Sequence, residues 1–64
     1  ILAKTIHSMA DDIKRVTKKG GLLLLSGLIT KTVQPTVEIF ENLGFTIQEI
    51  LEEEEWHAII AKRD

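Results

Sequence analysis

The sequence predicts an α/β fold in the order helix, strand, helix, strand, strand. Three observations predict it. Leu22-Leu23-Leu24-Leu25-Ser26-Gly27-Leu28-Ile29 follows Gly20-Gly21 as an apolar run without alternation, the pattern of a strand covered on both faces inside a largely parallel sheet. Helical stripes flank that run on either side. A second strongly apolar centre, Ala58-Ile59-Ile60-Ala61, follows a more polar strand after a short acidic connection. A chain of 64 residues can hardly cover such a strand on both faces and pair both its edges. Residues 1–64 are therefore expected to be an incomplete domain, one part of a wider sheet.

The first helix follows from Leu2, Ile6, Met9, Ile13 and Val16, which recur at spacings of four, three, four and three and so share one face. Lys14, Arg15, Lys18 and Lys19 gather at its C-terminal end, where cations favour the helix dipole. Gly20 is expected to stop it, because glycine tolerates positive φ. After the strand at 22–29, Thr32 is the expected N-cap of a second helix, with Pro35 in its first turn. Val33, Val37 and Phe40 form that helix's apolar stripe, widened by Ile39 and Leu43, and Gly44 closes it.

Residues 45–51 read as a strand with Phe45, Ile47 and Glu49 on one face and Thr46, Gln48 and Ile50 on the other. Glu52–Glu55 is too acidic for a strand interior and is expected to be a solvated connection. Trp56–Lys62 is the last strand. Its short link to the preceding one makes the two antiparallel. Insertion of this last strand between the other two explains why it and 22–29 are both so apolar, and leaves the more polar 45–51 at an edge.

Composition narrows the function. A net charge of −2 and a pI near 5.6 give no electrostatic case for nucleic acid, whose binding rests on phosphate neutralisation. No apolar run reaches the roughly 18 residues a membrane span needs. The absence of cysteine suits a reducing, cytoplasmic setting. The first residues lack the pattern of a signal peptide and an initiator Met, so the natural start is expected to lie upstream.

Ile1-Leu2-Ala3, then a helix, Lys19-Gly20-Gly21, the apolar strand and Ser26-Gly27-Leu28-Ile29 together resemble the C-terminal part of the PrmA-type ribosomal-protein methyltransferases. The Gly44-Phe45 turn and Glu55-Trp56 fit the same pattern. The resemblance covers the whole chain. It implies the Rossmann-like sheet of the class I methyltransferases, in which a reversed final strand lies between its neighbours. It also implies S-adenosylmethionine as cofactor, a large-subunit ribosomal protein methylated on amino groups as substrate partner, and the rest of the methyltransferase domain as structural partner. The family's glycine-rich cofactor loop, its ribose-binding acidic residue and an Asn just before the positions matching Ile1-Leu2 are not in this sequence, so the chain alone is expected to be inactive.

Three places are expected at the carboxyl edge of the sheet, where open α/β sheets bind ligands: Ile1-Leu2, Ser26–Ile29 and Glu55-Trp56. Ile1 and Leu2 are read as lying beside the cofactor, with ordinary helix-entry residues as the alternative. Trp56 is read as a substrate-pocket wall, with core packing as the alternative. Ser26-Gly27 serves close backbone approach rather than chemistry. His7 and His57 carry no local ligand motif, so no catalytic residue and no metal ligand is assigned. Two alternatives stay open: an enzyme of the same fold acting on rRNA or a small molecule, and a non-enzymatic α/β interaction module pairing through its sheet edges.

Overall fold

The computed structural model describes residues 3–64, as three helices and three strands. In chain order these are α1 (Ala3–Ser8), α2 (Ala10–Val16), β1 (Leu22–Leu28), α3 (Thr30–Asn42), β2 (Phe45–Glu52) and β3 (His57–Arg63). The sheet order is β1-β3-β2. β3 pairs antiparallel with both neighbours, so β1 and β2 run parallel to each other. The reversed last strand is inserted between the strands that precede it, as the hydropathy of the three runs predicts.

All three helices contribute to a core on one face of this sheet. It consists of Ile6, Ala10, Leu25, Leu28, Val37, Phe40, Phe45, Ile59 and Ala61. Phe40 meets Phe45 edge-on, with ring centroids 5.4 Å apart at 82°, a favoured aromatic geometry. The α3 stripe is as the spacing predicts: Val37 and Phe40 are buried, and Val33, Ile39 and Leu43 pack against the core. Gly44 ends the helix at φ 97°, with its N–H donating to the Glu41 carbonyl.

The opposite face of the sheet carries no helix among the described residues. The register places Leu24 beside Ile60, and Leu51 beside Ala58, on that face. Leu22 is 69% exposed and Leu24 63%. The run is thus open on one face within this chain, as expected of a strand that 64 residues can hardly cover on both. The helices described here form only one layer, so the inward set Leu25 and Leu28 is buried while the outward leucines face water.

Other expectations are corrected. The first helix is two helices, broken at Met9 (φ −101°, ψ 4°). There the Met9 N–H is shared between the Thr5 and Ile6 carbonyls, and the Ser8 hydroxyl also donates to Thr5, a local competitor of helical bonding. The buried stripe is Ile6 and Ala10, with Ile13 beside them, while Met9 and Val16 are exposed. Small Ala10 takes the place expected of Met9. Gly20 does not cap this helix. Thr17 does, in extended conformation, and Gly20 instead uses φ 77° to turn into the sheet, its N–H bonding the Arg63 carbonyl at 2.8 Å. The Arg63 guanidinium donates back to the Thr17 carbonyl, satisfying a helix-end acceptor.

α3 starts at Thr30 with Ile29 as N-cap and no side-chain cap, rather than at Thr32. The Thr32 hydroxyl donates to the Ile29 carbonyl, and Pro35 lies inside the helix. β2 carries a bulge between Ile47 and Glu49. The extra residue reverses the alternation beyond it. Ile50 therefore pairs with Ile59 on the helix-covered face and Glu49 pairs with Ile60 on the open one, the reverse of the unbroken period-two reading.

Candidate functional site

The carboxyl ends of β1 and β2 and the start of β3 meet at one edge, because Leu28 and Glu52 both pair with His57. Two of the three places expected there are thus brought together: the end of the 22–29 run and the Glu55-Trp56 pair. The third, Ile1-Leu2, lies outside the described residues.

Near the end of β1 the register slips between Leu25 and Leu28, and Gly27 has φ 80°. Glycine in the left-handed region is what such a bulge requires. Ser26-Gly27 thus shapes the strand end and redirects the chain through Ile29 into α3.

Trp56 is not the first residue of the last strand. It closes the Glu53–Trp56 turn, in which the Glu53 N–H donates to the Trp56 carbonyl at 2.9 Å, and β3 begins at His57. Trp56 is 43% exposed, so core packing is not its role within the described residues. With Glu53, Glu54 and Glu55 it lines an open cavity of about 300 Å³. The acidic run is a solvated connection, as its charge predicts.

The sequence reading missed a second cavity at this edge, of about 290 Å³ and lined by Thr30, Val33, Gln34, Ile50, Glu52 and His57. It lies between the first turns of α3 and the paired ends of β2 and β3. His57 Nε2 shares a 2.9 Å hydrogen bond with Thr30 Oγ1, and its Nδ1 is buried without a partner. No motif signals this groove, since its lining comes from three separate elements. The bulge in β2 is what turns Ile50 and Glu52 toward it.

His7 has a different task. The Thr36 hydroxyl, on a fully buried residue, donates to the Thr32 carbonyl at 2.6 Å. Its oxygen is then the acceptor for the His7 Nε2–H at 2.7 Å. The imidazole ties α1 to α3 and fixes its own tautomer. Among the described residues no group of three or more metal-ligating side chains forms. Lys14 Nζ sits near Gly44, toward the opposite edge, and Arg15 pairs with Asp12 at 3.2 Å on an exposed surface, whereas Lys31 lies in the first turn of α3.

Two parallel strands joined by a helix, with a reversed strand between them, are the arrangement of the C-terminal portion of a Rossmann-like class I methyltransferase sheet. The model of the ribosomal protein L11 methyltransferase (PrmA) family matches residues 1–64, and the chain belongs to that family. It is 44% identical over 62 residues to the ribosomal protein L11 methyltransferases of Bacillus cytotoxicus, Bacillus cereus strain B4264 and Bacillus anthracis strain A0248. Each match covers 97% of this chain and 20% of the relative. The chain thus spans about a fifth of the length of these relatives. No solved structure matches it.

Proposed function

We propose that this chain is the C-terminal part of the catalytic domain of an S-adenosylmethionine-dependent methyltransferase that methylates lysine amino groups of a large-subunit ribosomal protein in the cytoplasm. One observation carries the reading: the family match runs through all 64 residues, with β3 inserted where the family's sheet requires a reversed strand. The open leucine face supports the reading of 1–64 as an incomplete domain. Apolar area of this kind is normally covered, and a sheet with helices on both faces is the architecture that covers it.

The residues described here do not make a cofactor cradle by themselves. Both cavities at the carboxyl edge are open, and glycine backbone lines neither. S-adenosylmethionine supplies an activated methyl group when bound, and the residues that hold it lie mainly in the rest of the domain. Ile1 and Leu2 are assigned to its reactive end. This chain's own contribution is alignment of the acceptor, with Trp56 as a wall for the incoming protein segment. Among the described residues no helix is long and apolar enough to cross a membrane.

The test is methyl transfer from labelled S-adenosylmethionine to isolated large-subunit proteins by a complete enzyme carrying this chain. Label on lysine of one ribosomal protein is expected, and label confined to RNA would overturn the reading. The 64-residue chain alone is expected to bind no S-adenosylmethionine by calorimetry.

A further inference from the structure

We infer that the groove between the first turns of α3 and the ends of β2 and β3 is a recognition subsite for a non-reacting lysine side chain of the protein substrate. This inference rests on the proposed function and adds a specificity determinant to it.

Val33 and Ile50 give the groove apolar walls, while Thr30, Gln34, Glu52 and His57 give it a polar rim. An apolar channel ending at polar groups fits a side chain with a long hydrocarbon stem and a charged head. The sign of the head follows from the charges. Glu52 brings a full negative charge to the lining, and Glu53, Glu54 and Glu55 continue the same sign along the turn. Among the described residues none of these carboxylates is ion-paired; the ion pair found there is Arg15 with Asp12. The opposing influences are the N-terminus of α3, which offers about half a unit of positive charge, and Lys31 in its first turn, which is exposed and not part of the lining. Glu52 is the charged side chain in the lining itself, so the groove selects a cation.

The same carboxylate argues against this being where methyl transfer occurs. A methyl acceptor must present a neutral nitrogen with a free lone pair, and a carboxylate in contact favours the charged ammonium. The guest is therefore a lysine near the target in the substrate, held charged while another is methylated. The Thr30–His57 hydrogen bond holds the imidazole at the rim and ties the start of α3 to the start of β3.

Two measurements on a complete enzyme carrying this chain test the subsite. In steady-state kinetics, Glu52→Lys is expected to raise KM for the ribosomal protein about fivefold, the scale of one exposed charge pair broken and reversed. Its kcat and its affinity for S-adenosylmethionine are expected to hold, and circular dichroism to match the parent. An unchanged KM, or a kcat that falls together with cofactor affinity, overturns the inference. In the second measurement, methyl NMR follows Val33 and Ile50 on titration with acetylated trilysine or acetylated triglutamate. Shifts with trilysine alone, abolished by Glu52→Gln, support the groove. Equal shifts with both peptides, shifts that persist in Glu52→Gln, or none overturn it. Because this binding readout needs no turnover, absence of methyl transfer by the parent enzyme would count against the proposed function while the groove is still decided.

Discussion

Leu24→Thr tests whether the open face of the sheet is covered in the complete enzyme. Leu24 lies on the helix-free face opposite Ile60 and is 63% exposed. Only about a third of its surface is buried within this chain. Full burial of a leucine is worth about 1.5–3 kcal/mol, so the contacts seen here account for about 0.5–1 kcal/mol. Threonine, being β-branched, favours strands at least as well as leucine, which leaves burial as the main variable. If the remaining domain covers this face, the substitution removes the whole transfer term. It also buries a hydroxyl, at about 1–3 kcal/mol when unpaired. The expected loss in the complete enzyme is then about 2.5–6 kcal/mol. Urea unfolding followed by tryptophan fluorescence measures it, with the m-value checked for constancy. A loss below about 1 kcal/mol in the complete enzyme refutes the reasoning, because Leu24 would then be as wet there as it is in this chain.

Phe40→Ala removes the centre of the helix-side core and the edge-on contact with Phe45. It is expected to cost about 3–5 kcal/mol, enough that the isolated chain shows no cooperative melt by circular dichroism. Thr36→Val leaves the His7 Nε2–H without its acceptor and is expected to cost about 1–3 kcal/mol. In the parent, nitrogen-15 NMR of His7 is expected to show the proton on Nε2, and a proton on Nδ1 alone would contradict the bonding described. Gly27→Ala forces a Cβ into the left-handed region at φ 80°, with an expected loss of about 1–2 kcal/mol in denaturant unfolding.

The parts of the fold legible in the sequence were those set by periodicity and by glycine. Val33, Val37 and Phe40 marked the face of α3, and Gly44 marked its end. The contrast between the polar 45–51 run and the two apolar runs was enough to place β3 between its neighbours, since strand burial tracks position in a sheet. The errors have local physical causes. Met9 and Ala10 compete for one place on the stripe, and the smaller residue fits against the sheet. Ile29 and Thr30 start α3 early because the Thr32 hydroxyl is used on the Ile29 carbonyl instead of capping. A single extra residue at Gln48 sends Glu49 and Ile50 to the faces opposite those expected, and residue spacing does not signal such a bulge.

The candidate site was legible only in part. Glu55-Trp56 and the end of the 22–29 run were recognisable as neighbours, because a reversed strand begins where its parallel partners end. Trp56 itself belongs to the turn, where its exposure suits contact with a partner. The groove of Thr30, Val33, Gln34, Ile50, Glu52 and His57 was invisible in sequence, being assembled from three elements by the β2 bulge. The His7–Thr36 bond was equally hidden, since its partners are 29 positions apart.

Amide hydrogen exchange at β1 tests the central claim most directly. Among the described residues β1 is hydrogen-bonded to β3 alone, so those amides of Leu22–Leu28 that point away from β3 have no strand partner there. If β1 is an interior strand of a wider sheet, these outward amides exchange slowly in the complete enzyme, at rates comparable with those of β3, and rapidly in the isolated chain. Rapid exchange of the outward amides in both would show that the sheet ends at β1, and would contradict the account.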